Sequence, residues 1–250
     1  MKAALETRNL IKRFGGLMAT DNVTFRLEPG ARHALIGPNG AGKTTLINLL
    51  TGVLVPTSGT VLLEDRDITS IAPHRRVGLG LARTFQISQL FPGITPYESL
   101  GLAVSERLGM GWNFWRIAGT RPQVVDEVLE LAERFGLTDV LEHDTTKMPY
   151  GKQRLLEIAL AFACKPRVLL LDEPAAGVPE AERHEILSIV AALPRHVSVL
   201  LIEHDMDLVF AFADRISVLV NGALFTEGTV AEVSNDERVK AVYLGEGFDG

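Results

Sequence analysis

The run Gly37-Pro38-Asn39-Gly40-Ala41-Gly42-Lys43-Thr44 has the form G-x-x-x-x-G-K-[ST], the pattern of a loop that wraps the phosphates of a nucleoside triphosphate. Its glycines let the backbone curl so that successive N–H groups point inward at phosphate oxygens, where a β-carbon would obstruct the turn. In that arrangement Lys43 reaches the β- and γ-phosphates, the Thr44 hydroxyl holds Mg²⁺, and Thr45 completes the phosphate-binding stretch. A second string carries complementary chemistry. In Val168-Leu169-Leu170-Leu171-Asp172-Glu173 four apolar residues form a strand whose end presents two adjacent carboxylates. Asp172 is suited to Mg²⁺, directly or through water, and Glu173 to polarising an attacking water.

The elements needed to position these groups are also legible. Ala34-Leu35-Ile36 reads as the end of a buried strand, and Leu46, Ile47, Leu49 and Leu50 give the segment after the loop a helical apolar face. That helix would add the positive end of its dipole to the phosphate site. Val23, Phe25 and Leu27 alternate with Thr24 and Arg26 in the manner of a half-buried strand, and a Pro/Ser/Gly turn within 54–63 leads to another. Between about Pro92 and His143 the pattern changes to Gly and Pro breaks around one amphipathic helix. Its expected apolar face is Val125, Val128, Leu129, Ala132 and Phe135, with Gly136 as its stop. Val168–Leu171 and Val197–Ile202 are continuous apolar runs of the parallel-sheet kind, and so is Ile216–Val220, which ends in the hairpin signal Asn221-Gly222. The expectation is one α/β domain spanning 1–250, with a core lobe at about 1–90 and 155–250 and a helical subdomain at about 91–154.

Composition narrows the function classes. The 250 residues carry 25 Lys and Arg against 31 Asp and Glu, a net charge of −6, which argues against nucleic acid as the main partner. The single cysteine, Cys164, excludes an internal disulfide framework and is expected to be a small core residue. No apolar run reaches the ~18–20 residues needed to span a bilayer, and Met1-Lys2-Ala3-Ala4-Leu5-Glu6 holds no continuous apolar signal core. A membrane process would therefore be served from the cytoplasmic side, by docking.

Three further segments separate the nucleotide-using classes, and on them the chain resembles the ATP-binding-cassette ATPases. Gln86, in Leu81-Ala82-Arg83-Thr84-Phe85-Gln86, is similar to the family's loop glutamine, and His204, in Leu201-Ile202-Glu203-His204-Asp205-Met206, to its switch histidine. Met148-Pro149-Tyr150-Gly151-Lys152-Gln153-Arg154 stands where the family has its Leu-Ser-Gly-Gly-Gln signature. The resemblance covers nearly the whole chain in the correct order. It implies a nucleotide-triphosphatase α/β core with an N-terminal antiparallel β-subdomain and an inserted helical subdomain. It also implies two cassettes meeting head to tail around two ATP molecules. Gln86 would then sense Mg²⁺ and the attacking water, Glu173 act as general base, and His204 contact the γ-phosphate. Tyr150, Gly151 and Lys152 would face the partner's nucleotide. Phe14, in Lys12-Arg13-Phe14-Gly15-Gly16, sits where the family places an aromatic ring on adenine; packing within its strand is the competing reading. Pro149 replaces a serine hydroxyl, and Lys152, in place of Gln, either compensates electrostatically or marks a weaker half-site.

Within the family, Ala82-Arg83-Thr84-Phe85-Gln86, Leu90-Phe91-Pro92, Pro149-Tyr150-Gly151, Glu173-Pro174-Ala175-Ala176-Gly177 and Val242-Tyr243-Leu244-Gly245-Glu246 are similar to the longer ATPase subunit of branched-chain amino-acid importers. That implies integral-membrane permease subunits, a second ATPase subunit (paralogue or self) and, indirectly, a solute-binding protein as partners. The place implied is the cytoplasmic face of the plasma membrane. Urea, amides, aromatic acids or lipopolysaccharide are alternative cargoes of relatives, and a soluble ATPase remodelling a macromolecule is the alternative class. Trp112 and Trp115 offer either a permease or membrane contact or local packing. Lys43→Ala is expected to abolish nucleotide hydrolysis and most ATP affinity with the fold intact, because a point charge at the β/γ-phosphates is lost. Wild-type turnover at saturating ATP would remove the phosphate-loop reading.

Overall fold

The computed structural model describes residues 2–84, 90–110 and 121–244. Gln86, Trp112 and Trp115 lie outside the described residues, as does the end of the Val242–Glu246 phrase. An antiparallel sheet forms from the N-terminal third. β1 (Leu5–Phe14) pairs with β2 (Leu17–Val23) and β5 (Ser58–Leu63), and the short strands β3 (Arg26–Leu27) and β6 (Arg66–Asp67) extend β1 and β5. The expected alternation holds, with Val23, Phe25 and Leu27 buried and Thr24 and Arg26 exposed.

The second sheet contains β4 (Arg32–Ile36), β7 (Leu81–Arg83), β8 (Val168–Asp172), β9 (Ser198–Ile202), β10 (Arg215–Val220) and β11 (Ala223–Thr229). Its order is β11-β10-β4-β9-β8-β7, parallel except for β11 at one edge. The β10–β11 connection is the predicted Asn221-Gly222, both at positive φ (49° and 79°), as a tight hairpin of this twist requires. The central strands read as unbroken apolar runs because both faces are covered. Leu169, Leu171, Val199 and Leu201 pack toward the helical segment, while Leu35, Val168, Leu170, Leu200 and Ile202 pack toward the first helix and the antiparallel sheet.

That first helix, α1 (Lys43–Thr51), buries the expected Leu46, Ile47, Leu49 and Leu50. Its C-terminal carbonyls are satisfied by an arginine from α2 (Pro73–Gly78). Buried Arg76 donates to the carbonyls of Leu49 (2.9 Å) and Leu50 (2.6 Å), and also to those of Ile71 and Thr69. A cation at a helix C-terminus answers both the unpaired carbonyls and the dipole. The close fit leaves room only for glycine at position 52, where a Cβ would lie 2.7 Å from the guanidinium carbon.

The helical segment differs from expectation in two ways. Besides α4 (Pro122–Arg134) there is a second helix ahead of it, α3 (Pro96–Arg107). Its apolar periodicity is weak because Ser99, Gly101 and Ser105 are among its buried residues, but its start is marked by the Thr95/Glu98 capping box. In α4 the buried face is Val124, Val128, Leu131 and Ala132, continued by Phe135, whereas Leu129 is 47 % exposed and Val125 only half-buried. The stripe is rotated because the cluster formed with α5 (Tyr150–Ala163) selects it. Cys164 also departs from expectation. It is half-buried on the wall of an apolar groove, where its thiol contacts the Leu160 carbonyl and burial pushes its pKa up. The chain is completed by α6 (Glu180–Ala191), α7 (Met206–Phe212), α8 (Val230–Ser234) and α9 (Glu237–Leu244).

One buried polar chain ties β4 to the sheet edge. Ser217 donates to the Glu227 carboxylate (2.8 Å), so His33 Nε2, 2.8 Å from the Ser217 hydroxyl, is the donor there. Arg215 neutralises Glu227, and the His33 ring packs edge-on against Phe25. Burial pushes the His33 pKa down to about 4 from 6.5. As pH falls from 6.5 to about 4, the unfolded chain binds a proton that the folded chain refuses. Stability is therefore expected to fall by roughly 2 kcal/mol between pH 7 and pH 5 through this group. Urea titrations should show the slope in the wild type and its loss in His33→Leu.

Candidate active site

The loop between β4 and α1 is held on both sides by backbone. At Gly42, the N-cap of α1 (φ 98°), a Cβ would approach the Ala19 carbonyl to 2.4 Å, and at Gly37 one would approach the Leu219 carbonyl to 2.1 Å. Any side chain at either position would push the loop off β2 or β10. Lys43 extends back over the loop, its ammonium donating to the carbonyls of Gly37 (2.5 Å) and Pro38 (2.9 Å). The first backbone N–H groups of α1 open in the same direction, and Thr44 is exposed at this end.

These residues line a cavity of about 480 Å³. Its lining brings together Asn39, Gly40, Ala41, Gly42, Lys43, Thr44 and Thr45 of the loop and helix, Phe14, Leu17 and Met18 of the antiparallel sheet, and Glu173. Phe14 is 47 % exposed at the end of β1, so it does not pack within its strand; its ring is presented to the cavity with the Lys12 ammonium 5.1 Å from the centroid.

Glu173 follows the last residue of β8 and holds a left-handed conformation (φ 48°), while its N–H donates to the Ile202 carbonyl (2.9 Å). A non-glycine residue in this region is a local cost that the surrounding hydrogen bonds must impose. The turn swings the Glu173 side chain out of the sheet and toward the phosphate loop. His204, after β9, brings its Nδ1 to 3.9 Å from Glu173 Oε1. Asp172, by contrast, stays in the sheet, with its side chain 1 % exposed. Its Oδ2 accepts from Arg83 Nη2 at 2.7 Å, and its N–H donates to the Thr84 hydroxyl (3.4 Å).

Glu203, just before His204 at the end of β9, is a site residue that the sequence motifs do not name. Its side chain is 2 % exposed, with Oε1 accepting from the Ala175 N–H and Oε2 from the His204 N–H, both at 3.2 Å. Burial pushes its pKa up, offset in part by these two donors. Glu203 thus ties the loop that follows Glu173 to the loop that carries His204. An acidic residue at the end of an unbroken apolar strand was the available signal.

The remaining expected residues lie apart from this cavity. Tyr150 begins α5, with Pro149 as its N-cap residue and no side-chain cap. The Tyr150 hydroxyl accepts from Arg154 (2.6 Å), and a Cβ at Gly177 would meet its ring. Gly151 is buried against Glu182 of α6, where a Cβ would lie 2.1 Å from the carboxylate. The Lys152 ammonium donates to the Gly136 carbonyl (2.5 Å) and pairs with Asp139 (3.2 Å), so it ties α5 to the turn that follows α4.

Residues 20–176 match the family model described as ABC transporter, and residues 224–249 match that described as branched-chain amino acid ATP-binding cassette transporter. The chain is 39 % identical over 250 residues to the high-affinity branched-chain amino acid transport ATP-binding protein LivG of Escherichia coli K12, covering 97 % of this chain and 98 % of that one. It is 37 % identical over 253 residues to the corresponding protein BraF of Pseudomonas aeruginosa, with 97 % and 98 % covered. Among solved structures it is similar to an ATP-binding cassette of an ABC transporter in its ADP conformation, with TM-score 0.86 and 30 % identity over 98 % of this chain and 99 % of that one.

The position of Glu173 generates a kinetic expectation. Glu173→Gln should retain ATP binding, since a negative charge near the γ-phosphate is removed, while hydrolysis slows by about 10²–10⁴-fold. A rate within roughly threefold of wild type in single-turnover measurements would place the base elsewhere.

Proposed function

Because this chain belongs to the ABC transporter family, as its ATP-binding-cassette ATPase, we propose that it hydrolyses ATP to power uptake of branched-chain or related hydrophobic amino acids by an importer. The observation that carries the ATPase part is the convergence of the phosphate loop, Phe14 and Glu173 on one cavity, with His204 reaching Glu173 at its edge. The transported class rests on similarity to LivG and BraF over nearly the full chain.

In this reading the exposed Phe14 ring takes adenine by stacking, and the loop N–H groups with the α1 N-terminus take the phosphates. Lys43 leaves the Gly37 and Pro38 carbonyls for the β/γ-phosphate oxygens. Glu173 accepts the proton of the attacking water, and His204 holds the γ-phosphate geometry. Thr44 and Asp172 supply a hydroxyl and a carboxylate, the hard oxygen donors that Mg²⁺ prefers. Bound there, Mg²⁺ supplies neutralisation of charge developing at the phosphates. Gln86 joins this set by the resemblance of its segment. Tyr150, Gly151 and Lys152, on a different face from the cavity, belong to the surface that meets a second cassette.

Attachment to a permease is the remaining requirement, since among the described residues no helix is long and apolar enough to cross a membrane. An apolar groove of about 510 Å³ is lined in part by Val53, Val77, Leu90, Phe91 and Leu160. We assign it to the permease's cytoplasmic segment. Tyr97 packs against the helical core and is not part of this wall. Docking here would place the ATPase peripherally on the cytoplasmic face.

Reconstitution with the native permease tests the whole reading. ATPase activity should rise with binding protein loaded with leucine, isoleucine or valine, and stimulation only by an unrelated ligand such as urea would overturn the cargo class. For docking, Phe91 is 70 % exposed, so Phe91→Asp should change stability by less than about 0.5 kcal/mol. It should leave ATP binding by the isolated subunit intact while reducing co-purification with the permease. Unchanged co-purification would remove the groove from the interface.

A further inference from the structure

We infer that Arg83 is the positioning residue for the metal-binding pair, holding Asp172 at a fixed separation from the helix that carries Thr44. The two proposed oxygen donors come from different elements, Thr44 from α1 and Asp172 from β8. Arg83, the last residue of the short strand β7, bridges those two elements. One guanidinium nitrogen, Nη2, donates to Asp172 Oδ2 at 2.7 Å, and the other, Nη1, donates to Asn48 Oδ1 at 2.7 Å. Asn48 stands four residues after Thr44, on the same face of α1 one turn further in. The planar fork therefore sets the distance between the face that presents Thr44 and the carboxylate.

The pair is dry, with side-chain exposures of 13 % for Arg83 and 1 % for Asp172. A charge-assisted contact at this depth is strong and directional, and removing one partner strands the other charge. The next residue adds a second hold, because the Thr84 hydroxyl accepts from the Asp172 N–H. Arg83 takes one carboxylate oxygen and so fixes the rotation of the group, which leaves the second oxygen with a defined direction. A lysine could keep a positive charge beside Asp172 but has no fork with which to reach Asn48 as well. Groups of this kind, bound to a ligand rather than to the metal, typically change metal affinity by about 10–100-fold when removed.

The inference rests on the reading of Asp172 as a magnesium carboxylate, and the test separates the two. ADP binding would be measured by calorimetry for wild type, Asp172→Asn, Arg83→Met and Arg83→Lys, each with Mg²⁺ and with EDTA. Melting temperatures would be recorded alongside. Wild type should bind ADP more tightly with Mg²⁺, and Asp172→Asn should lose that gain. Arg83→Met should bind ADP in EDTA within about twofold of wild type yet lose about tenfold or more of the magnesium-dependent gain. Arg83→Lys, the variant more certain to fold, should recover part of it. An Arg83→Met protein with a lowered melting temperature but the full magnesium gain would reduce Arg83 to a structural role and overturn the inference alone. If Asp172→Asn also keeps the gain, the metal reading falls with it.

Discussion

Everything in this molecule depends on holding one stretch of backbone, Gly37 to Gly42, in the tight conformation that lines the cavity. Such a loop makes few hydrogen bonds of its own, so its shape must be imposed from its ends. At one end β4 is buried at every residue between β9 and β10. At the other, α1 is anchored by its apolar face and by Arg76 on its last carbonyls. Between them, the Ala19 and Leu219 carbonyls approach so closely that only glycine fits at positions 42 and 37. The loop is rigid because its surroundings are, and that rigidity is what preorganised phosphate binding requires.

Buried charge is placed with the same economy. Among the described residues Arg76 and Arg32 form no ion pair with a carboxylate, and they satisfy main-chain carbonyls instead, Arg32 donating to those of Leu193 and Val197. Both join segments distant in sequence, α1 to α2 and β4 to the stretch leading into β9. A guanidinium with five donors suits this work better than any other side chain. At the site itself the buried charges are arranged differently. Asp172 is neutralised by Arg83, while among the described residues Glu203 has two backbone donors and the nearby His204 ring. The second arrangement is the less comfortable one, and it links the loops bearing Glu173 and His204, where a local cost is tolerable if it fixes geometry.

Arg83 also lies on the wall of the apolar groove while its guanidinium reaches Asp172. One side chain therefore spans from the groove wall to the carboxylate.

The sequence by itself determined the elements whose physics is local. The glycine-lysine loop, the buried runs of β4, β8 and β9, the Asn221-Gly222 turn and the apolar face of α1 follow from steric rules and periodicity that need no knowledge of neighbours. Together with the resemblance, these name Lys43, Thr44, Asp172, Glu173 and His204. The tertiary structure alone decided what depends on residues far apart in the chain. The rotation of α4 was set by the cluster it joins, since Val124 and Val128 or Val125 and Leu129 both make acceptable stripes on an isolated helix. Phe14 became a cavity wall, rather than strand packing, because β1 ends beside a loop more than twenty residues away in sequence. Arg83 is invisible as a functional candidate for the same reason, because its partners, Asn48 on α1 and Asp172 on β8, are brought to it only by folding. Glu203 is legible as an acid at the end of an apolar run, but its link to the Ala175 N–H on the loop after Glu173 exists only in the folded chain.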